Sequence, residues 1–220
     1  MIYVLTYDAP HRKTQDLLFR LKAKGYKNIQ VLATPWEERK NFKPLIPHRN
    51  FKALQVLQVD LCKRLEYHFS KIKLNELKIS GDDLVLIGGA GILPKNIVNS
   101  GKIINSHPAY LPYIRGLDSL KWAIYDEKPI GVTSHIISEE CDAGKLIKRE
   151  LLKLYPWDTF HSVALRQYEM EIDMLVSSIE DIKTASLEEL STTESEPSRR
   201  MPHKIEHQLM KKFQDMISKI

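Results

Sequence analysis

Two cysteines, Cys62 and Cys141, are all that the 220 residues contain. Two are too few for a disulfide framework, and their separation matches no metal-type spacing. Both fit a reducing, cytoplasmic setting. Long apolar runs are missing as well. The longest, Leu84 to Leu93, is ten residues and includes three glycines. A membrane-crossing helix needs about 20 apolar residues, so no span and no membrane partner is expected. No basic stretch followed by an apolar one precedes the strand-like run Ile2 to Thr6, so no secretory leader is expected. Strong charge imbalance is also absent. The net charge is +5, the lysines are scattered rather than striped, and no recognised nucleic-acid module accompanies them. A solvated surface accounts for that charge first, a small anionic ligand next, and nucleic acid last.

What is present is an ordinary globular composition, 43% hydrophobic and 28% charged. Ile2 to Thr6 reads as a strand and Thr14 to Lys24 as a helix that stops at Gly25. Ile29, Val31 and Ala33 alternate as in a strand, and a loop bearing Pro35, Pro44 and Pro47 follows. Leu54, Leu57, Leu61, Leu65, Phe69 and Ile72 recur at three- and four-residue steps, which predicts one long amphipathic helix. Leu84 to Ile87 is a fully apolar run, as in a buried central strand. Pro94 to Val98 suits a short helix, Lys102 to Asn105 a strand, Asp118 a helix cap, and Gly131 to Ile137 a further strand. Lys145 to Leu154 reads as an edge strand, and Phe160, Ala164, Tyr168, Ile172, Leu175 and Ile179 as one more helix stripe. Alternating strands and helices predict an α/β, Rossmann-like fold with a largely parallel sheet flanked by helices and a short C-terminal extension. Residues 1–182 form the expected body. Residues 183–220 are expected to be a polar linker, Ser191 to Ser198, and an amphipathic helix that packs on the body or on a second copy in a homodimer.

Two stretches carry chemistry. Gly88-Gly89-Ala90-Gly91 follows the central strand, but the G-x-G-x-x-G spacing of a dinucleotide cradle is absent. A tight strand-to-helix turn accounts for the same glycines, while the apolar continuation Ile92-Leu93-Pro94 suits a flat ring better than a phosphate. Asn105 and His107, two apart on a strand, point to one face, and Pro108 ends that strand. Ligands in open α/β sheets bind beyond the carboxyl ends of strands. A lone histidine is more often satisfied by a nearby carbonyl, but Gly131 to Ile147 adds a strand, His135 and Asp142. An amide that polarises an acyl oxygen, an imidazole that relays protons and a carboxylate that orients it together suit acyl transfer to an amine. A zinc site of His107, His135 and Asp142 matches no common spacing, and no metal is expected.

Gly88 to Pro94, then Asn105-Ser106-His107-Pro108 with Leu111-Pro112 and Arg115-Gly116, then Gly131 to His135 and Asp142-Ala143-Gly144, resemble the 10-formyltetrahydrofolate-dependent formyltransferases over roughly residues 80 to 150. The resemblance implies Asn105, His107 and Asp142 as the catalytic trio and 10-formyltetrahydrofolate as co-substrate. It implies a pterin pocket walled by Gly88, Gly89, Ala90, Gly91, Ile92, Leu93, Ile137 and Cys141. The phosphate loop of the purine-synthesis branch has no counterpart in Thr6 to Thr14, which lacks glycine. The initiator-tRNA branch carries a sizeable second domain, whereas about 40 residues follow Ile179 here. The branch that formylates amino sugars on nucleotide carriers is resembled best, though its usual serine after His-Pro is Ala109. Arg12 and Lys13 are then candidates for a pyrophosphate, and Tyr110 and Arg115 for the sugar. Glycinamide ribonucleotide or another small amine as acceptor, hydrolysis of the formyl donor, and a non-catalytic folate- or nucleotide-binding module are the alternatives.

Overall fold

The computed structural model describes residues 1–36, 43–49, 52–99 and 102–220; part of the proline-bearing loop lies outside them. Seven strands form one sheet: β1 (Ile2–Tyr7), β2 (Ile29–Thr34), β3 (His68–Lys71), β4 (Leu84–Ile87), β5 (Lys102–His107), β6 (Gly131–Ile137) and β7 (Gly144–Leu151). Their order is β3-β2-β1-β4-β5-β6-β7. The β3-to-β5 part is parallel, and β6 is antiparallel to both β5 and β7. The α/β class and the flanking helices are as expected, with β4 central and β7 at an edge.

The two-residue strand period divides the core. Val4, Val31, Leu86 and Ile104 pack on one face with α1 (Arg12–Ala23), α2 (Gln58–Leu65) and α5 (Phe160–Asp181). Leu5, Leu32, Val85 and Ile103 face the other way, onto α3 (Lys95–Val98) and the 3₁₀ turn Leu74–Glu76. A fully buried aliphatic side chain contributes about 1.5–3 kcal/mol, so each central strand is held from both sides. A third cluster joins α4 (Ser119–Tyr125) and the start of α5 to α7 (Leu209–Ile217) through Leu120, Ile124, Phe160, Leu209 and Phe213.

Two expectations need correction. The long helix over residues 54–72 is instead α2 followed by β3. Glu66, at φ 60°, adopts the left-handed conformation that ends the helix, and the Tyr67 hydroxyl donates to the Tyr26 carbonyl at 2.9 Å. Beyond it, Phe69 enters the sheet. A four-residue step fits a strand as well as a helix, and Leu54 and Leu57 are exposed, so the front of the stripe covers nothing. Asp118 precedes α4 but makes no side-chain cap. Its carboxylate accepts from Arg200 Nη1 (2.9 Å) and from the Met201 backbone N–H (3.1 Å).

The polar segment 191–198 runs along the body. Its neighbours Glu188 and Leu190 exchange backbone hydrogen bonds with β7, and Ser198 does so with Arg115 and Leu117. The short helix α6 (His203–Glu206) follows.

Candidate active site

Asn105 and His107 continue the face that begins with Ile103, because β5 keeps its alternation up to Pro108. On the neighbouring strand, His135 stands opposite Asn105 and Thr133 opposite His107. The β6–β7 loop folds back over this face. Gly144, at φ +109°, permits the reversal, and a Cβ there would lie 2.1 Å from the Ile136 carbonyl oxygen. His135 Nδ1 lies 3.0 Å from the Ala143 carbonyl oxygen and donates to it. Burial pushes the His135 imidazole down to about 4, so at neutral pH it is an uncharged pin for the loop.

The pin places Asp142 over His107. Asp142 Oδ1 lies 3.3 Å from His107 Nδ1, and Oδ2 accepts the Gly116 N–H at 2.7 Å. Burial pushes the carboxyl up, but the His107 ring and the Gly116 N–H more than offset this and leave it below its ordinary value. A charged carboxylate on Nδ1 directs the exchangeable position of the ring to Nε2. That nitrogen is buried and has no hydrogen-bond partner. Such an atom costs free energy unless a ligand satisfies it. Asn105 is half-buried.

Gly88 and Gly89 make the tight turn. Both N–H groups donate to the Leu5 carbonyl at 3.0 Å, and a Cβ on Gly89 would come within 2.8 Å of the Tyr7 ring. The next residues open outward. A Cβ on Gly91 would meet nothing, and Ile92 is 98% exposed. Leu93 is buried in the core, while Ala90 and Ile137 are half-buried against it. Cys141 is exposed, and its thiol is pushed up to about 11 by burial and by the Asp142 carboxylate. It therefore stays protonated and is no nucleophile. Gly91 and Ile92 thus leave an open, apolar rim beyond the end of β4.

Arg115 spends its donors on the protein's own backbone. Its guanidinium donates to the carbonyls of Cys141 (2.7 and 2.9 Å), Thr192 (3.0 Å) and Ser195 (3.1 Å). Buried and fully engaged, it grips the loop that carries Asp142. Tyr110 stacks on Tyr113 (6.2 Å) and lies beneath Arg149 (5.0 Å). Arg12 pairs with Asp16 at 2.7 Å on the surface of α1. Lys13 does approach the trio: its Nζ lies 3.5 Å from the Ser106 carbonyl oxygen and 2.8 Å from Glu171 Oε1.

The sequence reading missed Glu171, Arg49 and His11. Arg49 binds the other Glu171 oxygen. Burial pushes the Glu171 carboxyl up, but Arg49 and Lys13 more than offset this, so it stays ionised. His11 is driven down to about 4, first by burial and then by Lys13 and Arg49. A signal for Glu171 existed: it lies three residues after Tyr168 and four before Leu175, on the apolar face of α5. Among the described residues, no three His, Cys, Asp or Glu side chains converge as metal ligands. A groove of ≈ 940 Å³ lies elsewhere, between α1, α5 and β7, lined by residues such as Tyr26, Lys148 and Asp173.

Comparison with known proteins adds four findings. The sequence profile of the family described as Formyl transferase matches residues 22–179. The methionyl-tRNA formyltransferase of Fusobacterium nucleatum is 33% identical over 114 residues, covering 50% of this chain and 37% of that protein. The dTDP-4-amino-4,6-dideoxyglucose formyltransferase of Mycobacterium bovis is 28% identical over 93 residues, covering 42% and 40%. The matches thus span less than two thirds of these relatives' lengths. In fold, the chain resembles the Helicobacter canadensis N-formyltransferase crystallised with folinic acid and dTDP-3-aminofucose. The TM-score is 0.64 at 16% identity, covering 95% of this chain and 79% of that one.

Proposed function

This chain belongs to the formyl transferase family, and on that premise we propose that it moves a formyl group from 10-formyltetrahydrofolate to the amine of a nucleotide-linked amino sugar. One observation carries the reading: His107 has its Nδ1 side held by Asp142 and its buried Nε2 left unpartnered, on the face that Asn105 shares. Support for the acceptor comes from the dTDP-amino-sugar enzymes among the relatives and fold neighbours. It also comes from the cationic Lys13 and Arg49, which share the Glu171 carboxylate near the carboxyl end of β5, Lys13 lying 3.5 Å from the Ser106 carbonyl oxygen.

The donor supplies an acyl carbon already bonded to a nitrogen leaving group. Asn105 donates its amide N–H to the acyl oxygen, where negative charge develops as the amine attacks. His107 takes the proton released by the amine at Nε2 and returns it to the departing nitrogen. Asp142 orients the ring and stabilises the imidazolium that exists between those two transfers. Gly116 and Arg115 keep Asp142 in place. The loops 88–93 and 137–142 hold the ring system and limit water.

The test is release of tetrahydrofolate from 10-formyltetrahydrofolate, with and without nucleotide-linked amino sugars. The proposal expects release that requires the amine, together with a gain of one formyl group on the sugar by mass spectrometry. Release that ignores the amine assigns the protein to donor hydrolysis, and no release at all leaves a binding module.

A further inference from the structure

Besides the backbone contacts of residues 192–198 with Arg115, the C-terminal segment reaches residues 43–49 through a buried side chain. Glu206, on α6, is fully buried. Its Oε2 accepts the Leu45 N–H at 2.9 Å, and its Oε1 accepts the Ile46 N–H at 3.0 Å. Lys121 of α4, also fully buried, donates to Oε1 at 2.5 Å. His203 Nε2 adds a contact to the Lys43 carbonyl oxygen at 2.9 Å. Three residues beyond Ile46, the Arg49 guanidinium lies 5.7 Å over the Tyr168 ring and binds Glu171. Lys13 occupies the other oxygen of the same carboxylate.

Two cations around one carboxylate leave one positive charge uncompensated. Lys13 stands beside the Ser106 carbonyl, between Asn105 and His107 in the chain, and Arg49 remains 37% exposed at its side chain. A buried charge pair such as Lys121–Glu206 adds little stability over apolar residues of the same size. Its effect here is to fix the path of residues 43–49.

We propose that Glu206 is a positioning residue, which holds residues 43–49 so that Arg49 and Lys13 form a two-cation seat for the phosphates of the acceptor. This rests on the acceptor class proposed above. The seat lies on the opposite face of β5 from the Asn105 and His107 side chains, next to the strand's carboxyl end. A diphosphate bound there leaves the attached sugar to reach over that end.

The experiment compares wild type, Arg49→Ala, Glu206→Gln and the double variant. Steady-state rates with a nucleotide-linked amino sugar are expected to show the acceptor KM raised about tenfold to hundredfold by Arg49→Ala, the size of a lost charge-assisted contact. Glu206→Gln raises it by a smaller factor, and donor KM and kcat move far less in both. The double variant is no worse than Arg49→Ala alone, because both changes remove one function. A purely stabilising Glu206 gives additive losses instead, carried by kcat through the folded fraction. Calorimetry with dTDP and with inorganic pyrophosphate supplies a readout without turnover and is expected to show parallel weakening. Should Glu206→Gln fail to fold, Lys121→Met/Glu206→Gln removes both charges, keeps an amide oxygen for one N–H, and is read in the same way. Turnover with an unchanged acceptor KM in Arg49→Ala overturns the seat and leaves the acceptor class standing. Weakened dTDP binding without formylation of any amino sugar retires the acceptor class and keeps the seat.

Discussion

Acidification will unfold this protein through histidines that the fold keeps neutral, and His135 isolates the effect. In the folded chain its imidazole is pushed by burial from 6.5 to about 4. Between those values the unfolded chain binds a proton that the folded chain refuses. Stability therefore rises with pH across that window, is level above about 6.5, and is lost as pH falls. One proton is worth about 1.36 kcal/mol per pH unit. His135 alone then accounts for about 3 kcal/mol between pH 6.5 and 4, against a total stability of about 5–15 kcal/mol for a typical protein. His11 and His48, both held near 4 chiefly by burial, steepen the wild-type slope in the same window. His135→Asn keeps an N–H donor for the Ala143 carbonyl and removes the titration. Urea unfolding of both proteins from pH 4.5 to 7.5 is the assay. The variant should be less stable at pH 7.5, and its deficit should shrink by about 2–3 kcal/mol toward pH 4.5. Parallel curves would refute the reasoning, since His135 would then titrate alike in both states.

Three further perturbations probe the site and its frame. Asp142→Asn should lower the transfer rate by about 10²–10⁴-fold, the range of positioned acid–base catalysis, with the thermal midpoint close to wild type; an unchanged single-turnover rate would remove Asp142 from the mechanism. Gly144→Ala puts a Cβ against the Ile136 carbonyl oxygen at a φ of +109°, so it should cost more than about 1 kcal/mol by urea denaturation and lower the transfer rate with it. Lys121→Met strands the buried Glu206 carboxylate, a loss of about 3–5 kcal/mol, and adding Glu206→Gln should recover part of it in the same measurement.

The primary sequence decides much that depends on neighbours along the chain. Alternation places Asn105 and His107 on one face, and Pro108 stops their strand at the sheet's carboxyl end. The apolar run Leu84 to Ile87 announces a strand buried on both faces, and the Phe160-to-Ile179 stripe announces α5. These are local effects of side-chain period and backbone sterics. The stripe from Leu54 to Ile72 misleads for the same reason: four residues complete a helical turn and also two strand periods, and only the pairing of β3 with β2 chooses between them. Asp142 lies 35 positions from His107, and its approach depends on the reversal at Gly144, the Gly116 N–H and the grip of Arg115. The convergence of Lys13, Arg49 and Glu171 is likewise tertiary. Charges so far apart in the chain are solvated separately when it is unfolded, and they act on one another only once the packing of α1, α5 and the 43–49 segment removes the water between them.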